Sequence, residues 1–323
     1  MRSIGGYFSL ELPCQTWGEK YPNGIKLNAG RYALEYILKA KGYKKLWIPY
    51  YCCDTVLQPV QSLGIDYEFY HINKNLEIAE KVSVGKDEAL LYVDYFGLKG
   101  TYADYGVAYD YGSNVIIDKT QAFYDIPKEG VDTFYSCRKF FGVSDGAYLF
   151  TDKPLDEDLP FDHSSERLRA QLDRIDLSPE EAFNEYHKSE ENLDCVGIHR
   201  MSKLTQAMMN TIDYWKVACQ RMRNYQYLNR YLEESNGIHL NFTCDTVPMV
   251  YPYYCTKAGL RNHLIKNHIY VAKYWPNVEE WTGKDKDSVE ADLAEHLIPL
   301  PIDQRYGEEE MKFIIETIRN YGK

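Results

Sequence analysis

Asp118 closes an apolar run, Val115-Ile116-Ile117, and Gln121 follows it by three positions. After a short connector a second strand-like run, Thr133-Phe134-Tyr135-Ser136, leads into Arg138-Lys139 and a turn built on Gly142, Asp145 and Gly146. A carboxylate at one strand end and a lysine at a neighbouring one are what pyridoxal phosphate (PLP) chemistry uses. The lysine forms a Schiff base, and the acid keeps the pyridine nitrogen protonated so that the ring can draw in electrons. For that role Lys139 has to lose its proton near neutral pH, and both partial burial and the Arg138 cation push its pKa down. Read alone, Lys139 is more simply a surface lysine beside an arginine and Gln121 an ordinary loop residue, while Asp118 is equally a turn cap.

A second block bears on phosphate. In Leu27-Asn28-Ala29-Gly30-Arg31-Tyr32-Ala33-Leu34 a glycine opens a helical pattern. Such a glycine lets backbone N–H groups approach an anion that the helix dipole also favours, and Arg31 can add a charge-assisted contact. Plain helix capping explains the same residues. The chain has no Walker A loop, no G-x-G-x-x-G after a strand, no G-x-S-x-G and no H-E-x-x-H, so ATP, NAD, serine-hydrolase and zinc-protease readings lack support. Its eight cysteines, including the adjacent Cys52-Cys53, show no paired C-x-x-C spacing, and no metal site is expected.

The elements that must place these residues read as an α/β fold. Apolar positions Tyr32, Ala33, Tyr36, Ile37 and Ala40 make a helical stripe that Gly42 ends. Leu46 to Ile48, Tyr67 to Tyr70, Ala89 to Val93, Val115 to Ile117, Thr133 to Ser136 and Ala147 to Phe150 read as strands, and Asp54 as the cap of a helix running to Leu63. Strands alternating with helices imply a mainly parallel central sheet covered by helices, which binds ligands at the carboxyl ends of its strands. Asp118 and Lys139 both fall there. Further on, the pattern predicts a helix from Pro179, one long helix from Met201 to about Leu232, a strand over Ile269 to Val271 and a closing helix from Glu308 to Asn320. The expected division is a large cofactor-binding domain over 1–235 and a small α+β domain over 236–323.

The bulk numbers narrow the partners. A net charge of −11 with no basic stripe argues against nucleic acid or an anionic membrane. The first residues, Met1 to Gly6, contain no apolar stretch of signal-peptide length, and no run approaches a membrane span, so a reducing cytoplasm is expected. The 30 tyrosines suit packing as well as ligand stacking.

Taken in order, these blocks resemble the DegT/DnrJ/EryC1/StrS family of sugar aminotransferases, which have the type I PLP-dependent transferase fold. Asn28-Ala29-Gly30 is similar to the family's N-S-G-T phosphate turn, Ile48-Pro49-Tyr50-Tyr51 to its V-P-x-[FY] strand end, and Tyr95-Phe96-Gly97 to its H-x-Y-G segment. Asp118 to Ala122 resembles D-x-x-Q-A, and Ser136 to Ala147 resembles S-x-x-K-x-x-G-x-x-D-G-G. His199-Arg200-Met201-Ser202 is similar to Y-R-M-S, and Leu300 to Asp303 to the L-P-L segment before the last helix.

The resemblance implies that Lys139 carries PLP and shuttles protons, and that Asp118 pairs with the pyridinium. Gln121 would lie near the phenolic oxygen, and Gly30, Arg31 and Ser136 would hold the phosphate. It implies an amino donor, commonly glutamate, a keto group on a nucleotide-linked sugar as acceptor, and a homodimer. The chain departs from the family at Arg31 (a threonine there), at Cys52-Cys53 (a ring-stacking aromatic, for which Tyr51 becomes the candidate), at Asp94 or Tyr95 (a histidine) and at Ile198 (an asparagine). Two other readings are another PLP reaction and a PLP-fold protein with a non-catalytic binding role. Related dehydratases carry histidine in place of the lysine, and Lys139 speaks against them.

Overall fold

The strands with the longest apolar runs become the middle of a sheet. In the computed structural model, which describes residues 10–283, 285 and 287–322, β4 (Glu88–Val93) and β5 (Val115–Asp118) are buried almost throughout, while β3 (Asp66–Tyr70) exposes its first three residues at the sheet edge. The expectation about Met1 to Gly6 lies outside the described residues. With β1 (Ile25–Leu27), β2 (Lys45–Pro49), β6 (Asp132–Ser136) and β7 (Ala147–Phe150) they form a seven-stranded sheet of order β1-β7-β6-β5-β4-β2-β3. The run from β3 to β6 is parallel, and β7 and β1 close it antiparallel. Strands covered on both faces need no polar alternation, which is why β4 and β5 read as continuous apolar runs. Pro49, which has no N–H to give, lies beyond the β2–β4 ladder of Lys45 to Trp47.

Helix α1 (Gly30–Lys41) buries the predicted stripe and ends where Gly42 turns left-handed at φ 73°. Asp54 does not cap the next helix. It opens a single 3-10 turn, Asp54–Val56, before α2 (Leu57–Leu63), and Gly64 ends that helix at φ 62°.

Beyond the sheet, α3 (Arg169–Asp176) and α4 (Pro179–Asp194) follow, α4 opening on a capping box between Ser178 and Glu181. The long helix expected from Met201 is two helices, α5 (Lys203–Asn210) and α6 (Tyr214–Leu232). Two side chains break it: the Thr211 hydroxyl donates back to the Met208 carbonyl, and the Asp213 carboxylate caps α6 by accepting from Lys216 N–H.

A separate two-stranded antiparallel sheet, β8 (Val250–Tyr254) with β9 (Leu297–Pro301), packs with α7 (Leu260–Lys266), α8 (Val289–His296) and α9 (Glu308–Asn320). Ile269 to Val271, expected as a strand, is irregular. Ile269 N–H returns to the Leu264 carbonyl at 2.9 Å instead of joining a ladder, so burial alone made this segment apolar. Among the described residues no helix is long and apolar enough to cross a membrane.

Candidate active site

Parallel pairing decides where the two key groups go. Asp118 is level with Val93 on one side and Phe134 on the other, so β5 and β6 deliver their carboxyl ends to the same edge of the sheet. Lys139 lies one 3-10 turn (Cys137–Lys139) beyond Ser136, the last residue of β6. Both line one cavity of about 130 Å³ at this edge, together with Gly30, Arg31, Gln121 and Ser136. Of the residues expected to act on or hold the cofactor, Tyr51 alone stays outside it. It is wholly buried behind the cavity, edge-on to Trp275 at 5.0 Å, and its neighbours Cys52 and Cys53 reach the lining instead. The reason is the turn after Pro49, which sends the Tyr51 ring inward to the core, where Tyr95 donates to the Tyr51 carbonyl.

The segments that carry the site are tied to one another. Asn28 donates to the Gly197 carbonyl at 2.9 Å and accepts from His199 N–H, while its own carbonyl accepts from Gly146 N–H at 2.6 Å. Asp145 is fully buried and accepts from Ser202 N–H at 2.7 Å, from the Ser202 hydroxyl at 2.8 Å and from the Thr205 hydroxyl. Gly146 adopts φ 117°, and a Cβ there would sit 3.1 Å from the Cys137 sulfur and from a Thr205 methyl, so only glycine fits. Asp145→Ala leaves three buried donors unpaired and is expected to cost about 3 kcal/mol of stability. A fall in the urea midpoint without a change in slope would show it.

The environment of each group sets its chemistry. Asp118 accepts from Thr120 N–H at 2.8 Å through Oδ1, and the Thr120 side chain lies beside the same carboxylate. Burial pushes its pKa up to about 6, against the opposing pull of the Thr120 hydrogen bonds and the Lys139 ammonium. Lys139 is solvent-accessible at the bottom of a crowded cleft. Crowding, the largest single influence, pulls its pKa down, but the neighbouring Tyr274, Cys53 and Tyr186 side chains together outweigh it, and the net shift is upward even though Arg138 opposes it. The lowered lysine pKa expected from the sequence is therefore not found in the cofactor-free chain. Gln121 Oε1 accepts from Phe96 N–H at 2.9 Å, which leaves its amide nitrogen without a partner among the described residues.

Next to them is a cradle for an anion. The first turn of α1 starts at Ala29 with no side-chain cap for its N–H groups, and a Cβ on Gly30 would meet a Thr120 methyl at 3.1 Å. Arg31 and Arg138 flank that turn. Each is paired with a carboxylate of α4, Arg31 with Asp194 and Arg138 with Glu190, and Glu190 occupies part of the cavity. Glu190 thus holds an acceptor against Arg138 within the cavity, and the donors there, two arginines and an uncapped helix turn, are of the kind that binds a phosphate. With Asp118 able to face a ring nitrogen and an amine in the same space, the residues present fit PLP.

Sequence reading missed Glu190 and Trp275 in the lining, and it gave Thr120 and Cys53 no role of their own although it placed Cys52-Cys53 at the cofactor ring. Arg138 had a signal, being adjacent to the lysine. Trp275 had none, because it comes from a loop between α7 and α8 with no chemistry-bearing motif around it. At the positions where the resemblance fails, Asp94 is fully buried and faces Asp125, with burial and that second carboxylate raising its pKa, and Ile198 packs beside Ala29 and Tyr32.

No protein-family model matches the sequence, and no curated protein sequence matches it. Solved structures do. The PLP form of a sugar aminotransferase, Spr1654 of Streptococcus pneumoniae, superposes with a TM-score of 0.65 at 14% identity, over 92% of this chain and 86% of that one. NtdA of Bacillus subtilis, solved with bound PMP, gives 0.63 at 15% identity over 91% and 72%. A DegT DnrJ EryC1 StrS aminotransferase of Brucella abortus gives 0.58 at 16% over 93% and 86%. At these identities the likeness is one of fold, and this chain has the mainly parallel, helix-covered α/β architecture of the solved sugar aminotransferases.

Proposed function

We propose that this protein is a PLP-dependent aminotransferase that moves an amino group from an amino acid, glutamate by preference, to a keto compound of the sugar-nucleotide type in amino-sugar synthesis. The observation that carries the reading is that Asp118 and Lys139 line one cavity at adjacent strand ends, beside the uncapped first turn of α1. When bound, PLP supplies an aldehyde that captures amines and a ring that takes up electrons from a neighbouring C–H bond.

The chain's own residues do the rest. Asp118 would hold the proton on the ring nitrogen through its carboxylate. Gly30, Arg31 and Ser136 would anchor the phosphate, Arg138 would add positive potential, and the free Gln121 amide would donate to the phenolic oxygen. Lys139 Nζ would be the amine that the aldehyde captures and, once a substrate amine has displaced it, would take a proton from the substrate α-carbon and hold it for return. With its pKa raised, only the neutral fraction of the amine reacts at a given pH.

A homodimer in a reducing compartment completes the proposal, with 236–323 as a small second domain. Exposed Tyr105, Tyr109, Ile175, Phe183 and Trp215 support a subunit contact, and eight free cysteines support the reducing setting. A second reading, a non-catalytic binding role, is favoured by one observation: Asp194 and Glu190 already neutralise the two arginines of the anion cradle.

The absorption spectrum separates the two. The aminotransferase is yellow with PLP, bleaches on addition of glutamate and releases 2-oxoglutarate, whereas a spectrum that answers no amino acid favours the binding role.

A further inference from the structure

A planar heterocycle held by Asp118 at one edge needs an apolar face against it. Van der Waals contact and offset stacking with an aromatic ring supply this best. The first elements of the sheet do not provide it here. At the turn after β2 the cavity is lined by Cys52 and Cys53, neither of which carries a ring, and Tyr51 points into the core. Phe134 is committed beneath α1, where its ring lies 3.6 Å from the point a Cβ on Gly30 would occupy.

One large aromatic surface remains in the lining, the indole of Trp275. It is held from several sides. Tyr51 packs edge-on against it at 5.0 Å, Tyr274 stacks on it at 5.1 Å, and Asn277 donates to the Cys52 carbonyl at 3.0 Å, which fastens the Trp275 loop to the turn that lacks a ring. Only 8% of Trp275 is exposed, and it lines the same cavity as Asp118 and Lys139.

We infer that Trp275, reaching in from the loop after α7, is the positioning residue that covers the cofactor ring, in place of an aromatic at Cys53. This rests on the PLP reading above and adds to it the source of the ring's cover. Tyr51 thereby has a role as well, since its buried edge sets the tilt of the indole. Trp275 takes no part in proton transfer and acts by fixing the plane in which Asp118 and Lys139 meet the ring.

The test is binding of pyridoxamine 5′-phosphate, which lacks the aldehyde and so reports ring and phosphate contacts without any covalent bond to Lys139. Calorimetric titration of wild type, Trp275→Phe, Trp275→Leu and Trp275→Ala separates stacking from simple packing. Trp275→Phe is expected to bind within about twofold of wild type, while Trp275→Leu and Trp275→Ala bind about tenfold more weakly. The visible circular dichroism of PLP on the intact protein should persist in the Phe variant and fade in the Leu variant. Should the Ala variant fail to fold, the Phe–Leu pair carries the comparison. If Leu binds as tightly as Phe and wild type, the assignment of Trp275 is overturned and the PLP reading stands. If wild type binds neither pyridoxamine phosphate nor PLP, both fall.

Discussion

Lys139→Ala is expected to lower transamination by about 10⁴-fold or more, because one amine serves as both nucleophile and proton carrier, and proton transfer alone is worth about 10²–10⁴. The same change removes covalent attachment. Borohydride reduction of the wild-type protein with PLP should leave the cofactor on the peptide containing Lys139, seen by mass spectrometry, and nowhere in the variant. Cofactor retained covalently in Lys139→Ala would disprove the assignment. The pKa direction adds a kinetic signature. Lys139 in the free chain lies above the ordinary lysine range, so below that value its reactive neutral fraction grows about tenfold per pH unit. The rate of covalent PLP capture should therefore climb across pH 7 to 9 with a slope near one, measured by stopped-flow absorbance. The Arg138 cation opposes the raised value, and Arg138→Gln should slow capture at a given pH.

Asp118→Asn should separate function from stability. The carboxylate is buried, with its pKa pushed up from 3.8 to about 6. A carboxylate whose folded pKa exceeds its unfolded value contributes stability that is present below the unfolded pKa and lost as pH rises through the folded one. At neutral pH the ionised Asp118 thus costs the cofactor-free protein about 3 kcal/mol relative to its protonated form, from roughly two pK units at about 1.4 kcal/mol each. Asp118→Asn should recover much of this, raising the urea midpoint at pH 7 and leaving it nearly unchanged at pH 4. In the cofactor-loaded protein the order reverses, since the ring nitrogen loses its counter-ion and kcat should fall by about 10²–10³-fold, on the scale of losing one preorganised electrostatic group. A variant less stable than wild type at pH 7 without cofactor would contradict the desolvation account. One with full kcat would remove Asp118 from the site.

These expectations depend on groups that different levels of organisation placed. The alternation of apolar runs with helical stripes is a local property of the chain. It identified the parallel sheet and its edge residues, because a strand covered on both faces has no polar positions and a strand tip is where they begin again. Hence Asp118 and Lys139 were legible as strand-end residues from short-range patterns, while Gln121, Ser136 and Gly30-Arg31 joined them as one set only through the ordered family resemblance. The break at Thr211 to Asp213 was not, since a threonine hydroxyl turned back to a carbonyl and a capping aspartate leave the apolar periodicity on either side intact. Nor was the irregular course of Ile269 to Val271, whose apolar character reflects burial against the core and not ladder pairing.

The sequence by itself determined which residues stand at the carboxyl edge of the sheet, because order and period along the chain dictate strand direction. The tertiary structure alone decided what closes over that edge. Whether Tyr51 or Trp275 faces the cavity, whether Glu190 and Asp194 reach Arg138 and Arg31, and whether the Lys139 amine is drawn up or down all depend on packing between segments remote in sequence. Such contacts leave no periodic trace, since one side chain meeting another across the fold is fixed by shape and charge and not by its neighbours in the chain.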